Sequence, residues 1–352
     1  MPIKEKDFIQ TNYNLSLIAS EFKTVQEVPS NIALVKYWGK HGVQLPMNPS
    51  VSFTLNESKT ITHAHAKLLP NKSDKTQFTF HFDGIHKPDF EPKIASFFSK
   101  IEQFVPFLNH FEWFFDSSNT FPHSSGIASS ASGFAALAKI IMTLEKALNP
   151  TISKDYLQAK TSFLARLGSG SASRSVAHPI MIWGAHPDYP NTSDLYAIKA
   201  DFDIHPIFTN YQDTIVLVEK GQKKVSSTVG HQLMNTHPYK KIRKQQAFDN
   251  VAKMIKILQS GKIDAFIELV EQEALSLHAL MMTSTPNYLL MQAETLKIIH
   301  QIRDFRQQTG SKVCFTLDAG ANVHVLYPEN EKLEVLTFLK KITDKEMIED
   351  HV

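Results

Sequence analysis

The chain has 352 residues, with 37 Lys+Arg against 35 Asp+Glu, 42% hydrophobic residues and 20% charged. That balance excludes a disordered chain, a collagen-like repeat and a membrane bundle, and the length predicts about two domains, each with its own core. A net charge of +2 argues against non-specific binding to nucleic acid, yet leaves room for a local cationic pocket. The start, Met1 to Asp7, carries acids and no apolar run, so no secretory signal or membrane span is expected there. Cys314 is the only cysteine, which predicts no intrachain disulfide and fits a reducing, cytoplasmic setting. The 16 histidines show no metal-ligand spacing, so no protein-held metal is expected.

In chain order, residues 1–25 read as a loose arm or edge strand. Pro29 to Leu55 reads as strand at both ends with a polar loop between. Ile61, His63 and His65, then Phe78, Phe80 and Phe82, alternate and predict a hairpin over 60–82. A helix is predicted over Lys93–Phe104 and an aromatic strand over 110–116. The helix after Ser130 has one apolar stripe: Phe134, Leu137, Ile141, Leu144 and Leu148. Another is predicted over Lys154–Leu167, ended by Gly168 as its C′ residue. Met181–Trp183 and Ile215–Val218 read as strands. Three long helices are predicted over 240–259, 262–282 and 287–308. A hairpin follows, Lys312–Leu317 and Asn322–Tyr327, and then a last helix over 330–342. The order is α+β, without regular βαβ alternation, and the boundary is expected near 190–205, giving units 1–200 and 201–352.

Glycine is scarce, at 13, and Gly39, Gly42, Gly126, Gly133, Gly168, Gly170 and Gly320 crowd into four short segments. Glycine serves where backbone turns sharply or closely approaches something, so these segments are candidate sites. The first is Pro122–Gly133, feeding the striped helix. Gly126, Ser129 and Ser130 there form either a phosphate cradle on the helix N-terminus or a serine-rich cap with no ligand. The second is Asn31–Lys40, where Lys36 and Lys40, beside Tyr37 and Trp38, either meet a multiply charged phosphate or are solvated lysines. The third is Gly168–Ser175, where Ser169, Ser171 and Arg174 form either a carboxylate or phosphate clamp or a flexible linker. The fourth is Phe315–Asn322, where Asp318 at a hairpin tip is either a base or a turn aspartate. A weaker fifth, Lys223–Thr228, contributes Ser226. The basic run Lys240–Lys244 reads as a solvated helix face.

Together, and in this order, the four segments resemble the diphosphomevalonate decarboxylases of the GHMP kinase superfamily, from about residue 28 to 327. Lys36-Tyr37-Trp38-Gly39-Lys40, followed by Leu45-Pro46-Met47-Asn48-Pro49-Ser50, is the most specific part. The chain departs from the family's usual pattern at His123-Ser124-Ser125, Ile127, Ser173 and His178-Pro179.

The resemblance implies a two-domain GHMP kinase fold, with an N-terminal ribosomal-S5-domain-2-like domain, a C-terminal ferredoxin-like domain and the active site in the cleft between them. It implies ATP and Mg²⁺ as cofactors, and decarboxylation of mevalonate diphosphate to isopentenyl diphosphate. Asp318 would be the base, with Arg174 and Lys36 beside it. Tyr37, Lys40, Ser169, Ser171, Arg174 and Ser226 would hold substrate. Gly126, Ser129, Ser130, Ser117 and Asn119 would hold the nucleotide. A homodimer is implied, and neither a nucleic-acid nor a membrane partner. A related small-molecule kinase that phosphorylates without decarboxylation is the alternative the resemblance leaves open.

Overall fold

The computed structural model describes residues 2–9, 11–122, 127, 129–219, 221 and 227–352. Gly126 and Ser226, both expected at the site, lie outside the described residues. Among the described residues, no helix is long and apolar enough to cross a membrane.

The first sheet is built around one long strand. The N-terminal arm holds short 3₁₀ turns and leads into β1 (Glu21–Val35); short β2 (Lys40–His41) and β3 (Leu45–Pro46) then pair with each other, and β4 runs over Ser50–Leu68. β1 lies antiparallel along one edge of β4; the other edge is shared between β7 (Phe111–Asn119) and β8 (Ile180–Trp183). With β5 (Gln77–Phe82), β6 (Ile85–His86) and β9 (Ile198–Lys199), the order is β6-β5-β7-β4-β8-β9, with β1 beside β4. The expected 60–82 hairpin does not form, because β7 inserts between β4 and β5 and runs parallel to β5. Alternation assigns a face to each strand and leaves its neighbour undetermined. Trp113 and Phe115 on β7 stack at 5.4 Å and pack beside Phe80, which the β4 segment with Ala64 and Ala66 does not match in apolar bulk.

Three helices cover one face of this sheet: α1 (Glu91–Ile101), α2 (Ser129–Leu148) and α3 (Lys154–Gly168). Their apolar stripes meet the inward residues of β4, β5 and β7, and β7 alternates buried and exposed positions accordingly. Gly168 is not a left-handed C′ residue. It is the last residue of α3, followed by extended Ser169, and a Cβ there would come 2.4 Å from the Phe134 ring on α2. The glycine is present for close helix contact.

The second sheet, order β11-β12-β10-β13, is antiparallel throughout: β10 (Gln212–Val216), β11 (Cys314–Thr316), β12 (Val323–Tyr327) and β13 (Met347–His351). α4 (Ser227–Leu233), α5 (Lys240–Ser260), α6 (Ile263–Met282), α7 (Ala293–Thr309) and α8 (Lys332–Ile342) complete this half. α5 and α7 end at Gly261 and Gly310, both left-handed. α7 starts at Ala293 and not 287, because its first turn is capped by the Gln292–Thr295 box. β13, α4 and the β2–β3 pair had no legible pattern: each is too short for an apolar repeat to stand out.

The sheets share a core. Ile32, Leu34, Phe53 and Ile180 of the first pack in one cluster with Tyr211, Ile215, Val251 and Phe266 of the second half. A carboxylate adds a polar tie: buried Asp350 on β13 accepts from the backbone N–H groups of Asn56, Glu57 and Ser58 at 2.7–2.8 Å, anchoring the irregular middle of β4. Asp350→Ala is therefore expected to cost roughly 2–4 kcal/mol, since three charge-assisted bonds are lost and the Ser58 donor is left buried. Urea unfolding followed by circular dichroism measures this, and an unchanged midpoint would show that apolar packing alone holds the two sheets together.

Candidate active site

Where β1 ends at Val35, the next peptide is gripped from the other half of the chain. The Lys36 N–H donates to Glu273 Oε2 at 2.8 Å, and its carbonyl accepts from Arg243 Nη2 at 2.9 Å and Asn48 Nδ2 at 3.0 Å. Arg243 on α5 and Glu273 on α6 are a buried bidentate pair, each contact 2.7 Å, and Asn250 donates to the same carboxylate at 2.6 Å. Glu273 thus gathers donors from Lys36, Arg243 and Asn250, which offsets the cost of burying a carboxylate.

With its backbone held, the buried Lys36 side chain reaches Asp318, Nζ to Oδ1 3.2 Å. Asp318 sits in the turn between β11 and β12, about a third exposed, and its carbonyl accepts from His278 Nε2 at 3.1 Å and from Gly320 N at 2.7 Å. The acid therefore faces the solvent side of a site whose cations are buried.

Arg174 ends a 3₁₀ turn, Gly170–Arg174. It donates to Ser50 Oγ at 2.8 Å and Asn31 Oδ1 at 3.4 Å, with its guanidinium 5.9 Å from the Tyr37 ring and 5.7 Å from that of Trp183. Asn31 in turn donates to Ser171 O and Ser175 Oγ, so β1 and this turn are stitched together. Gly170 is required by closeness: a Cβ there would lie 2.7 Å from the Tyr37 hydroxyl. That hydroxyl and Arg174 Nε are buried and find no hydrogen-bond partner among the described residues. Two unsatisfied polar groups beside a cluster of cations are the mark of a site built for a polar ligand.

The electrostatics agree. Burial pushes the Lys36 ammonium down, opposed by Asp318 and Glu273. Burial pushes the Arg174 guanidinium down to about 10, opposed by Asp318 and Tyr37. Two cations desolvated around a single half-open carboxylate leave a net positive cavity, which favours an anion.

The remaining expected residues fall into groups. Lys40 is half-buried near this cluster, donating to Gln44 Oε1 at 2.9 Å, and its charge is felt by His231. Ser169 and Ser171 are half-buried on the Arg174 turn, hydroxyls 3.4 Å apart. Ser129 and Ser130 open α2. Ser117 and Asn119 on β7 are engaged with β4, the first with Thr62 at 2.9 Å and the second accepting from Thr60 at 2.8 Å. No hydrogen bond joins them to the Lys36–Asp318–Arg174 group among the described residues. The unusual His178-Pro179 stretch is tied to β4 by Thr54, whose hydroxyl lies 3.0 Å from His178 Nδ1 and from the Pro179 carbonyl.

Sequence reasoning missed Glu273, Arg243, His278 and His231. His231 on α4 accepts from the Gly39 N–H through Nδ1 at 2.9 Å, and packs 4.3 Å from the Tyr37 ring and 4.7 Å from that of Trp38. All four sit on helices far along the chain: Glu273 and His278 lie in the apolar pattern of α6, which marks them only as buried positions, His231 lies on short α4, and Arg243 lies in the basic run expected as a solvated face but is buried, paired with Glu273.

The two mixed α+β halves, with the Lys36, Arg174 and Asp318 cluster at their junction, define a two-domain GHMP kinase fold. A family profile of the diphosphomevalonate decarboxylase-like N-terminal domain matches residues 28–196, and one of the mevalonate 5-diphosphate decarboxylase C-terminal domain matches residues 214–352. The chain belongs to the diphosphomevalonate decarboxylase family. It is similar to the diphosphomevalonate decarboxylase of Candida albicans, 29% identical over 330 residues and covering 89% of this chain and 86% of that one. The human enzyme is 27% identical over 84% of this chain and 74% of its own. Among solved structures, mevalonate diphosphate decarboxylase from Staphylococcus aureus superposes with a TM-score of 0.81 at 27% identity, covering 95% of this chain and 97% of that one. MDDEF in complex with MVAPP, AMPPCP and magnesium gives 0.80 at 25% identity, covering 94% and 97%.

The two site histidines carry a pH prediction. Burial, with Lys40 and Arg174, holds His231 down at about 3; burial holds His278 down at about 4. Above pH ~6.5 both are neutral folded or unfolded, and their contribution to stability is complete. Below that, the unfolded chain takes up protons the native rings refuse, so stability falls by about 1.4 kcal/mol per pH unit for each ring. Urea midpoints measured from pH 7 to 5 should drop. They should drop less steeply in His278→Gln, which keeps a donor for the Asp318 carbonyl; equal slopes would mean that His278 titrates normally.

Proposed function

We propose that this chain is an ATP-dependent decarboxylase, converting mevalonate 5-diphosphate to isopentenyl diphosphate, ADP, phosphate and CO₂. The observation that carries the reading is the 3.2 Å contact between Lys36 and Asp318, with Arg174 buried in the same electrostatic neighbourhood.

Asp318 takes the proton of the tertiary 3-hydroxyl as that oxygen bonds to the γ-phosphorus of ATP and the bond to ADP breaks. A tertiary alcohol is a poor nucleophile, so a positioned carboxylate is what the step needs. Lys36 orients that carboxylate and neutralises charge on the transferring phosphoryl group. The C3–oxygen bond then breaks, its electron pair leaving with phosphate. The pair of the bond to the carboxyl carbon becomes the new double bond, and CO₂ departs. Arg174 holds the carboxylate until that moment, its turn stiffened by Asn31 and Ser50. Tyr37, Lys40, Ser169 and Ser171 bind the substrate diphosphate, together with Ser226.

Ser129 and Ser130, with Gly126 before them, bind the ATP phosphates at the N-terminus of α2. Hydroxyls of this kind would also suit Mg²⁺, a hard cation that takes oxygen ligands and, bound with the nucleotide, would neutralise phosphate charge. Ser117 and Asn119 would contact the nucleotide with the hydrogen-bonding capacity left beside their bonds to Thr62 and Thr60, the Nδ2 donor in the case of Asn119. The division into units 1–200 and 201–352 puts Tyr37, Lys40, Ser169, Ser171 and Arg174 in one unit, and Ser226 with the base in the other. A homodimer in the cytoplasm completes the reading, the location resting on a single cysteine, Cys314, buried in the fold; light scattering on the purified chain tests the dimer.

Asp318→Asn should lower turnover by about 10²-fold or more, the scale of losing a general base, with the KM for mevalonate diphosphate changed only a few-fold. The assay follows isopentenyl diphosphate and free phosphate. Near-normal CO₂ release by the variant would remove Asp318 from the role. A stable phosphorylated product without CO₂ from the unmodified chain would identify a kinase.

A further inference from the structure

A cavity of about 440 Å³ opens beside the Lys36 clamp, within the size range of small-molecule sites. None of Lys36, Arg174 and Asp318 lines it. One part of its wall is apolar, formed by Trp38, Met47, Met234 and Phe248; another is cationic, formed by Lys240, Lys241 and Lys244 at the start of α5. Lys241 and Lys244 are exposed and make no ion pair among the described residues. The single acid in the wall, Asp194, has a carboxylate oxygen accepting from the Ala185 N–H at 2.7 Å. The basic run that reads in sequence as a solvated face thus borders a hollow with a hydrophobic wall.

Two further wall residues give the hollow its interest. Asn48 and Arg243 both line it, and both donate to the Lys36 carbonyl. Arg243 is buried and its Nε finds no partner among the described residues. Trp38, two residues after Lys36, packs on His231, which in turn holds Gly39. A ligand in this cavity therefore touches the groups that fix the segment from Lys36 to Gly39, without entering the anion site itself.

We propose that this cavity is a second anion site, taking an organic diphosphate with an apolar tail, and that its occupancy is coupled to the setting of Lys36. The lysines meet the charged head and the Trp38–Met47–Met234–Phe248 wall takes the tail. Neither half of the wall alone selects a ligand; the combination selects amphipathic anions over inorganic diphosphate and over neutral apolar molecules. The coupling runs through direct contacts, since an anion beside Arg243 competes for the same guanidinium charge that holds Glu273 and the Lys36 carbonyl.

Geranyl diphosphate serves as the probe, with inorganic diphosphate and geraniol as head-only and tail-only controls. Calorimetric titration is done on the full chain and on Lys241→Glu/Lys244→Glu, whose exposed positions leave the fold intact, checked by equal melting temperatures. The site predicts that the probe binds the unmodified chain more tightly than either control, persists at saturating mevalonate diphosphate and AMPPCP, and weakens by about tenfold or more in the double variant, the effect of reversing two charges at the head group. No binding, equal binding in the variant, or displacement by mevalonate diphosphate each overturns it. The coupling is read from turnover and rests on the proposed decarboxylation: the probe should change kcat at saturating substrate in the unmodified chain and not in the variant, whose unliganded turnover stays within about twofold. Purely competitive inhibition, equal in both, would put the probe in the active site. A chain that binds the probe as stated but turns over no mevalonate diphosphate would fail the decarboxylase reading and leave the second site standing.

Discussion

The Arg243–Glu273 pair is the constraint on which the site depends. It lies almost wholly out of water and is spent on one peptide: Glu273 takes the Lys36 N–H, and Arg243 gives to the Lys36 carbonyl. A buried ion pair adds little net stability over a well-packed apolar substitute, because desolvation offsets most of the Coulombic gain. Its contribution here is position. Both residues belong to helices of the second half and Lys36 directly follows a strand of the first, so the pair sets where the halves meet at the point where Lys36 and Asp318 face each other.

Around that point, charge is rationed. Lys36 and Arg174 are buried with one partly open carboxylate between the halves, and burial lowers the proton affinity of each cation. Further positive charge at this place would raise the desolvation cost without adding a binding direction. The histidines follow the same logic. His231 and His278 are kept neutral by burial, and each contributes a hydrogen bond, one accepted from Gly39 and one donated to the Asp318 carbonyl. They shape the site without adding charge to it.

The three-point grip of Asp350 on β4 and the joint apolar core do at larger scale what the ion pair does locally. β4 is long enough to pair with β1, β7 and β8 at once, and its irregular middle is where the C-terminal strand takes hold. The first sheet is thereby oriented against the second, and the β11–β12 turn with Asp318 is carried to the end of β1.

Local periodicity and composition determined much of this molecule. The apolar stripes of α1, α2, α3, α5 and α6, the β11–β12 hairpin, the α+β class and the glycine-marked segments were legible, because each is encoded within one turn or one strand of chain. So were Lys36, Arg174 and Asp318, as chemistry-bearing side chains in those segments. Only the tertiary structure decided that β7 separates β4 from β5, that Gly168 serves helix contact and not a turn, and that Arg243, Glu273 and His278 hold the backbone of Lys36 and Asp318. The physical reason is common to all three: each depends on which surfaces meet between segments separated along the chain, or across two packed helices, and a local pattern does not record what a position is packed against.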